Sequence, residues 1–202
     1  MKVIVAYMSL SGNTRKIAEA IYGEIQGEKE IKELGEIDDL EEYDFAFVGF
    51  PMHGFSAPDD AKHFLQKQRR GKKVALFVTH GAPENSSELQ PWLDICREAA
   101  SEANVIDMVN CQGELAQDGT DALLNSDNPR YRAYGEAAHT TRGQPDATRV
   151  ERARIFAREQ WIGLLCKNDC PGIALILTPL LFLDNILLTN TRGRNGNTLS
   201  EV

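Results

Sequence analysis

Ser9-Leu10-Ser11-Gly12-Asn13-Thr14 gathers three hydroxyls, one carboxamide and one glycine into six residues. Hydroxyl and amide donors without a carboxylate among them suit an anion. Gly12 lets the backbone come close to it. The pattern excludes the commoner phosphate loops. A nucleoside-triphosphate loop needs GxxxxGK[ST], with a lysine for the outer phosphates, and a dinucleotide loop needs GxGxxG; neither is present. A receiver-type site needs acidic residues where the first strand ends, and Met8-Ser9 supplies none. What is left is a cradle with no cation of its own, or a plain helix-capping turn with Ser11 or Asn13 as N-cap.

The elements around the motif favour the cradle. Lys2-Val3-Ile4-Val5-Ala6-Tyr7-Met8, apolar without a break from Val3 on, predicts a buried strand. Residues 15–26 carry helical periodicity, with Ile17, Ala18, Ile21, Tyr22 and Ile25 on one face. The motif therefore sits at a helix N-terminus, where free amides and the helix dipole favour a phosphate. The alternation continues along the chain. Strands are predicted at 30–34, 45–50, 73–79 and 105–111, and helices at 59–68, 88–103 and 147–160. Strands alternating with helices give a parallel sheet with right-handed crossovers. Ligands of such sheets bind outside the carboxyl ends of the strands. Three loops rich in Gly, Pro, Ser, Asn or His meet there, at 9–14, 51–58 and 79–86.

The hexapeptide resembles the phosphate loop of the flavodoxin family, in which Ser/Thr, any residue, Ser/Thr, Gly, a small polar residue and Thr follow in order. Every position fits. Gln112-Gly113-Glu114 and Gly143-Gln144-Pro145-Asp146 also look like this family. The overall pattern is similar to the flavodoxins found beside bacterial bilirubin reductases. The resemblance covers roughly residues 1–160. It implies a three-layer α/β sandwich, with helices on both faces of a five-stranded parallel sheet of order 2-1-3-4-5. It implies FMN, with its phosphate at Ser9, Leu10, Ser11, Gly12, Asn13 and Thr14. The flavin ring would lie between Pro51, Met52, His53, Gly54 and Phe55 on one side and Thr79, His80 and Gly81 on the other. A small residue such as Gly54 lets a peptide turn toward the one-electron-reduced flavin. The implied activity is electron transfer from a reductase to an acceptor enzyme, with no catalytic residue. An NAD(P)H-dependent quinone or FMN reductase is the alternative on the same fold. The chain departs from many flavodoxins in flanking the ring with Met52, His53, Phe55 and His80 rather than Trp and Tyr, which implies weaker flavin binding. His53 and His80 are placed to hydrogen-bond or stack on the ring. Trp92, in a helical pattern, reads as packing.

Composition agrees with a redox carrier. The formal net charge is −8, which argues against nucleic acid as a partner and suits either docking on a basic protein surface or solubility alone. Cys96 and Cys111 fall in apolar stretches and read as core thiols. Cys166 and Cys170 lack the spacing and partners of a metal site. The chain begins directly in a strand pattern, so a cytoplasmic protein is expected. Residues 161–202 read as a separate tail. They hold three basic and three acidic residues, so the whole net charge falls on 1–160. The apolar run 173–183 contains Pro179 and is short for a membrane span. Residues 190–202 read as a polar, disordered end.

Overall fold

Five parallel strands run in the order β2-β1-β3-β4-β5: β1 (Lys2–Tyr7), β2 (Glu28–Glu33), β3 (Phe45–Pro51), β4 (Lys73–His80) and β5 (Asn104–Gln112). This is the predicted sheet and the predicted order. The computed structural model describes residues 1–68 and 71–168, so the predicted apolar run 173–183 and polar end 190–202 lie outside the described residues. The chain divides into two units, Met1–Gln160 and Trp161–Val202.

The three central strands are buried on both faces, which explains their unbroken apolar runs. Ile4, Ala6, Ala46, Val48, Phe50, Leu76 and Val78 pack against Ala61, Phe64 and Leu65 of α2 (Asp59–Lys67) and Leu89, Leu93 and Cys96 of α3 (Leu89–Glu98). The alternate residues face α1 (Asn13–Glu24), which buries Ile17, Ala18 and Ile21, and α6 (Ala147–Asn168), whose Phe156 meets Phe47 edge-on at 6.1 Å. Gly49 on that face is a packing requirement. A Cβ there would lie 1.9 Å from the Phe77 ring.

Some boundaries differ from the sequence reading. Helix α1 begins at Asn13 rather than at residue 15, because Gly12 is itself the N-cap, with φ 88°. Helix α3 stops at Glu98, where the chain tightens into successive short turns (Ala100 N to Arg97 O, Ser101 N to Glu98 O). Helix α6 runs on past Gln160, since no proline interrupts the stretch that follows and its one glycine, Gly163, is tolerated within a helix. Two helices were not predicted, α4 (Gln117–Leu124) and α5 (Pro129–Glu136), which lie between β5 and α6.

Candidate functional site

The carboxyl ends of β1, β3 and β4 lie side by side, with Tyr7 opposite Gly49 and Pro51 opposite Thr79. The three expected loops therefore leave one edge of the sheet together. In the first loop, Ser9 Oγ accepts from the backbone N–H of Gly12 (3.1 Å) and of Arg15 (3.2 Å). An oxygen thus sits where two amides of the helix start converge. No side chain caps α1 at Gly12, so Ser11 and Asn13 are not the N-cap. Ser11 is exposed, and Leu10 projects into solvent at 69% exposure.

Two residues of the motif face inward instead. Thr14 is buried, and its hydroxyl pairs with that of Thr79 at 2.8 Å, tying the first loop to the third. The Asn13 carboxamide donates to Glu114 O at 2.8 Å. Gly113 makes room for it, since a Cβ at that position would lie 2.7 Å from Asn13 Nδ2. The Gln112-Gly113-Glu114 segment is thereby fastened to the first turn of α1.

The second loop is a tight hairpin. His53 and Ser56 exchange backbone hydrogen bonds (2.9 and 3.2 Å), and the two residues between them have positive φ, Gly54 at 57° and Phe55 at 65°. Two central residues with positive φ make the primed turn that suits a two-residue hairpin. Glycine takes this conformation freely, whereas a phenylalanine needs outside support. Phe55 has that support. Its ring stacks on Trp92 of α3 (4.4 Å between centroids) and on Tyr131 of α5 (4.9 Å), and Trp92 meets Tyr134 at 6.0 Å. Met52 N–H donates to Thr79 O (2.7 Å), joining the second loop to β4.

In the third loop, His80 is buried, with Nδ1 3.1 Å from Ala82 O and Nε2 3.0 Å from Asn110 Oδ1. Both ring nitrogens are thus occupied within the protein. Burial pulls the imidazole below its usual pKa, against the opposing pull of those two oxygens. Glu84 anchors the same loop to α6 through Arg149 (3.1 Å) and Arg152, and it accepts from Gln112 N. Burial alone would raise the Glu84 carboxyl, but Arg152, Gln112 N–H and Arg149 together hold it below the usual range.

Between the second and third loops lies a cavity of about 310 Å³, at the small end of the sizes usual for small-molecule sites. Met52, His53, Gly54 and Phe55 line one side and His80, Gly81 and Ala82 the other. The remaining wall was not foreseen. It comes from Trp92, from Leu115, Gly119, Ala122 and Leu123 in and before α4, and from Tyr134. Asn128-Pro129 is a cap and first-turn pair that marks the start of α5, and Tyr131 and Tyr134 share a face of it at i, i+3. Those were the signals available in the sequence. A larger cleft of about 580 Å³ lies on the far side of Ser9 and Leu10, against α2, and is lined by Glu33, Asp38, Asp60 and Lys67. The smaller cavity is lined by the second and third of the predicted loops, whereas Ser9 and Leu10 of the first line the larger cleft. Among the described residues no group of His, Cys, Asp or Glu is arranged to hold a metal ion, and no helix is long and apolar enough to cross a membrane.

Comparison with known proteins bears on the family and the fold. The flavodoxin-like domain-containing protein BilS of Clostridioides difficile is 33% identical over 173 residues, which cover 80% of this chain and 97% of that protein. Oxidised flavodoxin 2 from Bacillus cereus superposes with a TM-score of 0.50 at 22% identity, covering 78% of this chain and 95% of that one. A flavoprotein crystallised with FMN from Lactobacillus acidophilus is 24% identical, with a TM-score of 0.44 over 54% of this chain and 92% of that one. Residues 4–157 match the flavodoxin domain as a family, and it is to this family that the chain belongs.

Proposed function

We propose that the chain binds FMN and carries electrons from a reductase to an acceptor enzyme. The observation that carries the reading is the donor set at the start of α1, where Ser9 Oγ already holds an oxygen against the amides of Gly12 and Arg15. A phosphate oxygen suits the same two donors, helped by the helix dipole. Ser9, Ser11, Gly12 and the first-turn amides would hold the phosphate. Thr14 and Asn13 would act behind them, by fixing the loop to Thr79 and Glu114. The cavity flanked by Met52, His53, Gly54 and Phe55 and by His80 and Gly81, which follow the paired strand ends Pro51 and Thr79, fits a planar ring system. Bound FMN would supply the redox chemistry, while the protein sets its surroundings and its partners.

Among the described residues no lysine or arginine lines the cavity to hold a nicotinamide phosphate, which favours a carrier over an NAD(P)H-dependent reductase. The acidic surface suits a basic docking face on redox partner proteins, and nucleic acid does not fit it. Buried, unpaired Cys96 and Cys111 suit a reducing, cytoplasmic setting.

Titration with FMN and with riboflavin tests the assignment. Ser11→Ala removes one hydroxyl donor from an exposed position. Losing a hydrogen bond to a charged oxygen costs about 1.5–3 kcal/mol, so FMN affinity should fall roughly ten- to 150-fold while riboflavin affinity stays unchanged. Equal losses for both flavins would remove the phosphate from this loop.

A further inference from the structure

We propose that the α4–α5 hairpin is a hinged third wall of the flavin-ring compartment, fastened by Glu88 to Tyr134 and Arg130, and that its lifting sets how fast the ring enters and leaves. The proposal rests on the FMN reading above and adds to it a set of ring-contacting residues and a gate.

The wall follows from helix geometry. Gly119, Ala122 and Leu123 are spaced i, i+3, i+4 on α4, so they share one face, and that face lines the cavity opposite His53 and Phe55. Two of the three are the smallest side chains available, which leaves room for a ring. Leu115, just before the helix, presses on the third loop so closely that a Cβ on Gly81 would lie 2.9 Å from its Cδ1. Helices α4 and α5 also lock to each other, since a Cβ on Gly135 would lie 2.9 Å from Leu124. The hairpin therefore behaves as one rigid piece.

Its attachments are unequal. The base is held through backbone donors, one to a carbonyl and two to side-chain oxygens: Glu114 N donates to Gln144 O (3.0 Å), Leu115 N to Thr141 Oγ1 (3.0 Å), and Gly143 N to Glu114 Oε2 (2.9 Å). Gly143 has φ 76°, a conformation open to glycine. The far side is held by side chains. Tyr134 donates to Glu88 Oε2 at 2.5 Å, Arg130 pairs with Glu88, and the Tyr131 ring lies on Phe55. Burial, and then the neighbouring Glu88, raise the Tyr134 phenol above its usual pKa, so the phenol keeps its proton for that bond. Between base and latch the hairpin contributes almost nothing to the core. Helix α4 buries no residue, and α5 buries only Gly135. An element with so little buried surface opens locally at small cost in free energy. Glu88 therefore carries the charged half of the latch, beside the ring contacts of Tyr131 with Phe55 and of Tyr134 with Trp92.

Stopped-flow mixing with FMN, read by flavin fluorescence, measures entry and exit in the full chain. In the Glu88→Gln, Tyr134→Phe double variant, both rate constants should rise roughly ten-fold or more, as for the loss of bonds to a charged group, while the dissociation constant moves far less. Amide hydrogen exchange over residues 117–136 should be fast without FMN and slow with it in the unmodified protein. Ala122→Trp fills the wall, so it should weaken lumiflavin, which is the ring without phosphate, as much as it weakens FMN. If the unmodified protein does not bind FMN, the FMN reading falls and this proposal with it. If FMN binds but rates and exchange are the same with and without the latch, the gate is refuted and the FMN reading stands. Unchanged lumiflavin binding by Ala122→Trp would remove α4 from the site.

Discussion

Replacing Thr14 or Thr79 by valine keeps the branched shape and deletes one member of a buried hydroxyl pair. The two oxygens lie 2.8 Å apart, and the residues are 1% and 2% exposed. A single substitution strands the other hydroxyl where water does not reach it, at a cost of about 1–3 kcal/mol. Replacing both removes the stranded group as well, and such matched apolar pairs are close to neutral. Thr14 stands in the first turn of α1 and Thr79 in β4, where valine is tolerated in the helix and favoured in the strand. With a urea dependence of about 2 kcal/mol/M, each single variant should lower the unfolding midpoint by roughly 0.5–1.5 M. The double variant should lower it by less than either single. Urea unfolding followed by circular dichroism gives the full cycle. If the double variant loses the sum of the two singles, the hydroxyls do not pair and Thr14 is free to serve a ligand. The pair also limits ligand binding. Two hydroxyls carry two protons and one lies between them, so at most one remains for a phosphate oxygen.

The carrier reading predicts negligible flavin bleaching when FMN-loaded protein is mixed with NADH or NADPH alone, and rapid bleaching once a flavodoxin reductase is added; fast direct reduction by nicotinamide would favour a reductase. His80 has its pKa lowered by burial, so the unfolded chain takes up that proton first, near pH 6.5, and stability drains away as pH falls below that value. His80→Gln should flatten the decline in urea midpoint between pH 7.5 and 5.5, and an unchanged slope would show that His80 does not carry it. Burial pushes the Cys96 thiol up to about 12, so at pH 8 a thiol reagent should leave Cys96 unmodified in the folded protein and modify it in urea, as read by peptide mass mapping.

The sheet was legible because its information is local. Each central strand is built on an unbroken apolar run of five or more residues, and each crossover helix carries its own stripe. The hexapeptide was legible as a donor-rich turn for the same reason. The duty of each donor was not. Asn13 and Thr14 read as phosphate donors by type and spacing, yet their polar atoms are engaged by Glu114 and Thr79, residues 101 and 65 positions away in sequence. Only the register of β1, β3 and β4 brings those partners within reach.

The aromatic wall was hidden by the same physics acting in the opposite direction. Phe55, Trp92 and Tyr131 lie on a loop, a helix and a hairpin helix, with no shared periodicity to link them. Local preference argues against Phe55 where it stands, because a bulky residue at φ 65° pays for its conformation. The cost is met by tertiary stacking on Trp92 and Tyr131. Such a position points to a site, since strained backbone persists where surrounding packing over-determines it. Trp92, one of the rings that hold Phe55 in place, also lines the compartment beside it, together with Tyr134. A chain that looked poor in aromatic residues for a flavin therefore gathers them from outside the two loops that were expected to supply them.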